Sequence, residues 1–479
     1  MNRFFMVLES PAPRNEVVTT DSLQCFYTGK VSDSIPINIV FHTDYENWKS
    51  HQSQSVQNWL QTACTKLEPS RPVCIPDTKG RMASVLVIAE QENILWSLGN
   101  CPRSLPAGHY HIAHAAGSSN LDPYLLGWGM GAYHYTRYGK NEGPSCRLSI
   151  DDARDKHQVE VLLEAVSLVR DLVNTPASDM MPQHLYQCMQ SMTEGFDVDL
   201  SACVGDALIE QNYPTIHAVG RASVHLPRLI SWHWGRKNHP RVTLIGKGVS
   251  FDSGGLDIKS ARGMRLMKKD MGGAAHAAGV ASTIMKLNLP VHLQVLIPAV
   301  ENAISGNAYR PGDVLTSRSG KTIEVEDTDA EGRLILCDAI SRAVEDNPDL
   351  IIDFATLTGA ARVALGTEVP AFFTNDQTVA QELTAASASV DDPVWQLPLH
   401  RPYRQLLDSD IADISNCSSS GYAGAITAAL FLDEFVPDAI RWLHFDVMSW
   451  NTRERAGRPK GGEAMGLRAV VEFLQRRYA

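Results

Sequence analysis

Cysteine and net positive charge are both scarce in this sequence, and each shortage excludes a class of protein. The nine cysteines are scattered, odd in number and never spaced as Cys-x-x-Cys, so a disulfide framework is not indicated. The formal net charge of −11 argues against a protein whose main function is to coat nucleic acid, because such binding depends on clustered lysine and arginine. We therefore expect reduced thiols in a cytoplasmic protein.

Long apolar runs are lacking as well. No stretch approaches the roughly 18 to 20 residues that a membrane-spanning helix needs, and the apolar run at residues 4–8 is too short for the core of a secretory signal. Apolar residues make up 44% of the chain and charged residues 20%, as is usual for a globular protein with an ample core. We expect neither a membrane segment nor export.

The length and a change of composition near residue 150 predict two domains. A chain of 479 residues exceeds what one hydrophobic core usually organises, since a domain averages roughly 150 residues. Glycine, proline and serine interrupt the periodicity between Tyr138 and Lys156, where a charged segment opens a helix. We expect an N-terminal α/β domain over residues 1–150, with an oligomerisation or regulatory role, and a larger α/β domain over residues 151–479.

The elements predicted for the smaller domain mix strands and helices. Residues 35–41 and 83–89 have the pattern of strands, and residues 55–67 that of a helix. Such a mixture favours an α/β fold.

In the larger domain, continuous apolar strands alternate with helices, a pattern typical of a mostly parallel sheet with helices on both faces. Ligand-binding groups of such sheets usually lie where strands end and loops begin. The predicted strands are Val242–Gly246, Val291–Val300, Leu350–Phe354 and Arg441–Val447, and the predicted helices are Gly272–Leu287, Arg333–Asp346, Ala425–Phe435 and Leu467–Tyr478.

Two short stretches of the larger domain concentrate lysine and carboxylate side chains beside glycines, and each follows a β-like run. Carboxylate oxygens favour Mg²⁺, Mn²⁺ and Zn²⁺, and bridging carboxylates bring two such ions to roughly 3.5 to 4 Å. The pattern therefore indicates a two-metal hydrolase centre. Its charged residues are Lys247, Asp252, Lys259 and Asp270 in the first stretch and Asp327, Asp329 and Glu331 in the second.

The second stretch has two interpretations when it is taken alone. Asp329 and Glu331 are two residues apart, which in an extended segment places both on one face, ahead of the helix predicted to begin at Arg333. Asp and Glu are also common in solvated turns that cap a helix and offset its dipole. Both interpretations remain open for this loop.

The lysines of the first stretch also have alternatives. A phosphate-binding loop is excluded for Lys247, because the required glycine is replaced by Arg241. A lone lysine is usually a surface group, but one between two glycines and near several acids could lose its proton and bind a metal as a neutral ligand. Lys259 would instead stay charged and stabilise negative charge on a carbonyl oxygen.

Five segments of the larger domain carry a family resemblance: Gly246–Lys259, Met267–Gly273, Glu301–Asp313, Ser319–Thr322 and Thr328–Leu334. Together they resemble the leucyl aminopeptidases, the cytosol aminopeptidase family of two-metal exopeptidases. The resemblance covers most of the chain from about Arg170 to the end. Before that point it is loose, and lies chiefly near residues 131–133.

The resemblance implies which residues bind the two metal ions. Lys247 and Asp270 would belong to one ion and Asp329 to the other, while Asp252 and Glu331 would bridge both. The ions would be manganese or zinc, with magnesium as a further option.

The resemblance also implies catalytic and substrate-binding residues. Lys259 and Arg333 would form the catalytic pair, with Arg333 holding a bicarbonate ion that serves as general base. Met267, Thr356 and Gly359 would line the pocket for the first side chain of the substrate. The implied activity is the release of N-terminal residues, leucine-like ones preferred, from peptides with a free N-terminus, by a homohexamer.

One position departs from the family pattern, since Asp327 occupies the place of the usual asparagine. An extra carboxylate there would raise the affinity for a hard cation, shift the pKa of metal-bound water upward, or point away from the metals. Two other functions remain as alternatives. The first is a nucleic-acid-binding accessory or regulatory role of the assembled oligomer, which the acidic balance disfavours, and the second is a two-metal phosphatase or nuclease.

Overall fold

Two separate β-sheets organise the chain in the computed structural model, which describes residues 23–63, 66–117, 119–139 and 143–479. A six-stranded sheet lies in the N-terminal part and a nine-stranded sheet in the C-terminal part of these residues. Among the described residues, no helix combines the length and the apolarity that crossing a bilayer requires.

The N-terminal sheet is parallel except at one edge, where β3 pairs antiparallel with β4, and its strand order is β1-β6-β5-β2-β4-β3. Alternate residues of β2, such as Ile37 and Ile39, enter the core, as the period of a strand requires. The strands are β1 Phe26–Tyr27, β2 Ile35–Phe41, β3 Pro72–Pro76, β4 Met82–Ala89, β5 Gly108–Ala115 and β6 Cys146–Ser149, and the helices are α1 Tyr45–Ser50, α2 Gln54–Ala63, α3 Cys101–Ser104 and α4 Asp122–Ala132. The predicted helix over residues 55–67 thus begins at Gln54, and residues 64 and 65 lie outside the described part.

Helix α5, Lys156–Asn174, connects the two sheets and packs against both cores. Its first turn is capped by Asp155, whose carboxylate accepts a hydrogen bond from Gln158 N at 3.0 Å. Leu163 and Val166 contact the N-terminal core, whereas Val169 and other apolar residues of the same helix contact the C-terminal core.

The C-terminal sheet has the strand order β16-β15-β18-β14-β9-β11-β8-β7, with β10 added beside β11. The central strands β18, β14, β9 and β11 run parallel to one another. Its strands are β7 Ser201–Val204, β8 Arg228–Trp234, β9 Arg241–Gly246, β10 Gly248–Asp252, β11 His292–Asn302, β14 Leu350–Ala355, β15 Ala371–Thr374, β16 Trp395–Gln396 and β18 Arg441–Asp446. A separate three-stranded sheet consists of β12 Val314–Thr316, β13 Thr322–Glu324 and β17 Ile414–Ser415, and β19 Trp450–Asn451 pairs with β20 Gly461–Gly462.

Helices cover both faces of this sheet. Leu350 and Ile352 of β14 pack on the side of α5, α10 and α15, and Ile351 packs on the side of α11 and α14. The helices that follow α5 in the chain are α6 Pro182–Thr193, α7 Ala207–Glu210, α8 Pro214–Gly220, α9 Ala261–Met264, α10 Gly272–Lys286, α11 Glu331–Glu345, α12 Gly359–Leu365, α13 Gln377–Ser389, α14 Gly424–Asp433 and α15 Leu467–Tyr478. The predicted two-domain α/β architecture with a mostly parallel, helix-covered sheet is confirmed.

The small residues at the start of α10 allow this helix to approach the sheet closely. A Cβ atom on Gly273 would lie 2.1 Å from Phe354 O of β14, which no side chain could tolerate. The close approach places Asp270, just before α10, beside the end of the sheet.

Candidate active site

The two charged stretches meet at the carboxyl ends of parallel strands. Lys247 directly follows β9, Asp252 closes β10, and Thr356 directly follows β14. Parallel strands bring such positions to one edge of a sheet. Residues that are distant in sequence therefore come together there.

Lys247 is a buried cation paired with two carboxylates. Its Nζ lies 2.8 Å from Asp270 Oδ2 and 2.8 Å from Glu331 Oε1, and it donates to Thr356 O at 3.3 Å. Burial opposes the charge of this amine, but Asp270 and Glu331 more than offset that effect and raise the pKa of Lys247. The surface-lysine interpretation is therefore wrong, because the side chain lies inside the acidic cluster.

Lys259 pairs with the other two carboxylates of the cluster. Its Nζ lies 2.7 Å from Asp252 Oδ2 and also contacts Asp329 Oδ1. The two carboxylates raise the pKa of Lys259 in spite of its partial burial. Lys259 is therefore a positioned ammonium group beside the carboxylates.

The carboxylates of the cluster lie so close together that the two lysines do not cancel their mutual repulsion. Asp252, Asp329 and Glu331 each offer an oxygen, and these oxygens lie within 4.8 Å of one another. Burial and then repulsion from Asp252 raise the pKa of Asp329 to about 7, and raise the pKa of Glu331 well above its ordinary value. Asp270 behaves differently, since Lys247 outweighs the effect of burial and lowers its pKa.

The donor set fits a divalent cation. Glu331 Oε1 is buried, and its neighbour is Lys247 Nζ at 2.8 Å. Four carboxylates and two ammonium groups leave a formal excess of negative charge. Carboxylate oxygens in this arrangement suit hard or borderline divalent ions, whose charge would relieve the repulsion that raises the pKa values of Asp329 and Glu331.

One expectation about the second stretch is wrong. α11 begins at Glu331, with Ala330 before it, and not at Arg333, so Asp329 and Glu331 do not share a face of an extended segment. Negative charge at a helix N-terminus is favoured by the helix dipole, and pairing with Lys247 holds Glu331 inward. Since Glu331 is only 1% exposed, the solvated-cap interpretation does not apply to it.

Asp327 supports the loop through one of its own oxygens. Its Oδ1 accepts a hydrogen bond from Asp329 N at 2.7 Å. An asparagine would supply the same acceptor, so this contact survives the departure from the family pattern.

Two asparagines that the sequence interpretation missed hold the carboxylates in place. Asn302, the last residue of β11, donates from Nδ2 to Asp252 Oδ1 at 2.9 Å and to Thr328 O at 3.1 Å. Asn416, after β17, donates from Nδ2 to Asp327 O at 2.7 Å. Position at a strand end was the available signal for Asn302, whereas Asn416 had none.

Arg333 is buried next to the acidic loop and is incompletely paired. Its Nη1 donates to Asn416 O at 2.7 Å, while its Nε is buried and donates to no group among the described residues. Burial lowers the pKa of this guanidinium. An unpartnered buried donor of this kind suits an anion.

The predicted substrate-pocket residues lie at different distances from the cluster. Thr356 is buried and its Oγ1 donates to Asp270 Oδ1 at 2.7 Å, so it touches a carboxylate of the metal cluster. Gly359 is exposed at the start of α12, and half-buried Met267 begins the 3₁₀ segment Met267–Met271 that contains Asp270.

Comparison with known families identifies both parts of the chain. The profile of the cytosol aminopeptidase family, catalytic domain, matches residues 167–471. The profile of the M17 aminopeptidase N-terminal domain matches residues 35–151.

Individual relatives agree with these profiles. A probable cytosol aminopeptidase of Roseiflexus castenholzii is 40% identical over 364 residues, which cover 72% of this chain and 74% of the relative. Among solved structures, the cytosol aminopeptidase from Coxiella burnetii superposes with a TM-score of 0.92 at 44% identity, covering 95% of this chain and 100% of that chain. The bottromycin maturation enzyme BotP, solved in complex with Mn, gives a TM-score of 0.83 at 30% identity over 92% of this chain and 99% of that chain.

Proposed function

Because this chain belongs to the cytosol aminopeptidase family and is a hydrolase of the aminopeptidase class, we propose that it releases N-terminal residues, leucine-like ones preferred, from peptides with a free α-amino group. The observation that carries the proposal is the buried cluster in which Asp252, Asp329 and Glu331 present oxygens within 4.8 Å of one another. The family is metal-dependent, and a solved neighbour is a Mn complex.

The proposed centre holds two divalent ions, manganese or zinc, with magnesium as a further option. Asp270 would hold one ion together with Lys247, which would have to lose its ammonium proton to bind a metal. Asp329 would hold the other ion, and Asp252 and Glu331 both. When bound, such ions polarise a carbonyl group and lower the pKa of water, which supplies a nucleophile at neutral pH. The crowding of buried carboxylates supports this assignment.

Lys259 is the proposed electrostatic catalyst. Its ammonium group is held beside the cluster by Asp252 and Asp329, so it would donate a hydrogen bond to the scissile carbonyl oxygen as negative charge develops there. An amine already positioned by two carboxylates needs little reorganisation during the reaction.

Arg333 is the proposed site of a bicarbonate ion, which would supply a general base. The buried Nε without an acceptor supports the binding of a planar anion. Asn416 O fixes Nη1, which orients the remaining donors of the guanidinium.

A substrate comparison tests the proposed activity. Metal-stripped enzyme is reconstituted separately with Mn²⁺, Zn²⁺ and Mg²⁺ and assayed on leucyl-p-nitroanilide and on its N-acetylated counterpart. We expect hydrolysis of the free amine alone, because acylation removes the group on which exopeptidase recognition depends. Equal hydrolysis of both compounds, or of neither with any metal, would contradict the proposal.

Two matched variants test whether the acidic cluster is required for the activity. Glu331→Gln removes a charge from the cluster and should abolish turnover while the far-ultraviolet circular dichroism is retained. Glu326→Gln is the control, since Glu326 lies exposed in the same loop and should keep most of the activity. A near-normal rate for Glu331→Gln would remove its proposed role.

We further propose a cytoplasmic homohexamer with a domain boundary between residues 150 and 151. The end of β6 at Ser149 and the start of α5 at Lys156 support the boundary.

Apolar side chains exposed near the site, among them Ile258 at 61% and Val363 at 89%, support burial by neighbouring subunits in the hexamer. Mass photometry tests the hexamer, and a monomer at micromolar concentration would contradict it.

A further inference from the structure

A guanidinium group lies beside the proposed pocket for the first side chain of the substrate. Arg362 follows Gly359 by three residues on α12, so the two residues share one side of the helix. A Cβ atom on Gly359 would lie 3.4 Å from Arg362 Nη2, and Arg362 Nη1 lies 3.4 Å from Met448 Sδ. The guanidinium therefore lies between Gly359 and Met448.

This guanidinium pairs with no carboxylate among the described residues of the chain. Its hydrogen-bond partner is the thioether sulfur of Met448, which is a weak acceptor. Lys247 and Lys259, by contrast, each contact two carboxylates, and Arg453 pairs with Glu368 at 2.8 Å.

The surroundings of Arg362 do not neutralise its charge. The buried Lys269 lies close enough for the two positive charges to repel each other. Asp446 lies near Lys269, and its two oxygens accept hydrogen bonds from Leu357 N, Thr358 N and Thr358 Oγ1. The half-buried guanidinium of Arg362 therefore has no charge-assisted protein partner among the described residues.

We propose that Arg362 binds a carboxylate on the first side chain of the substrate, so that the enzyme releases N-terminal glutamate or aspartate in preference to their amides. This inference rests on the proposed aminopeptidase function and refines its preference at the first residue. A guanidinium presents two parallel N–H donors that match a carboxylate. A leucine side chain fills the same space but leaves those donors with sulfur alone.

Near-isosteric substrates test the role of the charge. The kcat/KM values of glutamyl- and glutaminyl-p-nitroanilide, and of the aspartyl and asparaginyl pair, are measured with the manganese-loaded enzyme. We expect the acid to exceed its amide by about tenfold or more, which is the value of a charged hydrogen bond. Arg362→Gln should reduce this ratio to about one, and Arg362→Leu should lower the glutamate rate while raising the leucine rate.

A matched control separates the pocket from net charge. Arg453→Gln removes one positive charge from a side chain that is 68% exposed and paired with Glu368, and the ratio of acid to amide should stay at the wild-type value. An equal fall of the ratio in this variant would overturn the role of Arg362.

The outcomes distinguish this inference from the proposed function. If leucine is released but glutamate does not exceed glutamine, or if Arg362→Gln leaves the ratio unchanged, the inference is overturned and the aminopeptidase remains. A binding measurement covers the case of an inactive enzyme, because free L-glutamate should raise the melting temperature more than L-glutamine does, and Arg362→Gln should abolish the difference. Equal shifts in the wild type would overturn the inference without any turnover.

Discussion

The main-chain carbonyl oxygen of Asn416 accepts a hydrogen bond from Arg333 Nη1 at 2.7 Å, while its side-chain amide holds the loop that carries Asp329. Its Nδ2 donates to Asp327 O at 2.7 Å, and its Oδ1 accepts from Glu326 N at 2.8 Å. One buried residue thus fixes a proposed metal ligand and a proposed anion-binding arginine in the same frame.

Substitution of Asn416 should therefore weaken the metal centre. Asn416→Ala leaves the loop amide and carbonyl groups without partners, and we expect manganese affinity and kcat to fall by roughly tenfold or more, as for other residues that orient metal ligands. Titration calorimetry with Mn²⁺ and steady-state kinetics measure the two effects.

Asn375 provides the control for that substitution. It bridges β15 and β18 in a similar manner, with Nδ2 donating to Ile440 O at 2.9 Å and Oδ1 accepting from Trp442 N at 3.0 Å. Asn375→Ala should lower stability without changing manganese affinity. Equal affinity losses in both variants would show a general folding defect instead of a local one.

Gly332 and Lys247 are in close contact, which predicts a large effect of one methyl group. A Cβ atom on Gly332 would lie 2.4 Å from Lys247 Cε, so Gly332→Ala must displace the lysine. Alanine normally stabilises a helix by about 1 kcal/mol relative to glycine, but here we expect lower thermal stability and weaker manganese binding. Gly306→Ala, where no atom lies within 4 Å of the added Cβ, should change neither property.

Metal loading should stabilise the folded chain. A ligand that binds only the folded state adds about 2.7 kcal/mol at a concentration of 100 Kd, and the crowded carboxylates make the metal-free cluster self-repelling. We expect the melting temperature to rise with Mn²⁺ and to fall with a chelator, and we expect Asp329→Asn to reduce the rise. Asp206→Asn, which alters a fully exposed side chain, should behave as wild type.

The buried pair of His444 and Asp353 should make stability depend on pH. Burial lowers the pKa of His444, but Asp353 raises it by a larger amount, because Asp353 Oδ1 lies 2.6 Å from His444 Nδ1. Asp446 raises this pKa further and Arg333 lowers it, so that the net effect is a pKa above the ordinary value of 6.5. A raised pKa stabilises the fold fully below the unfolded value, and this contribution is lost as pH rises through the folded value.

Urea unfolding at a series of pH values measures this dependence. The free energy of unfolding should decline as pH rises above 6.5, by a component that Asp353→Asn removes. Retention of the full slope in Asp353→Asn would assign it to other groups. Asp353 also accepts from Trp442 Nε1 at 2.7 Å, so the variant will be less stable overall, and the slope is the deciding quantity.

Long elements with a strong pattern could be predicted closely from the sequence. The strand Ile35–Phe41 and the helix Leu467–Tyr478 have the predicted ends, because apolar periodicity stops where their neighbours become turn-forming. The paired strands β19 and β20, with two residues each, are too short to show a period, and tertiary contacts alone define them.

In the candidate site, too, some residues could be predicted from the sequence and others could not. Glycine-flanked charges at strand ends identified Lys247 and Asp252 as residues of one site, and the structure places them together. Asn416 lies 83 residues from the arginine that it fixes, and nothing in its own neighbourhood indicates that contact. The sequence does not indicate the proposed role of Arg362 either. Only the structure shows that no carboxylate among the described residues pairs with its guanidinium.

Helix α5 makes an independently expressed C-terminal domain a poor substitute for the whole enzyme. Leu163 and Val166 would lose their apolar covering if residues 1–150 were removed, and the buried Arg170 would lose Met130 O as an acceptor at 2.8 Å. A fragment that begins at residue 151 would expose these apolar side chains and leave a buried hydrogen-bond donor of Arg170 without its acceptor. We expect such a fragment to aggregate into inclusion bodies when it is expressed.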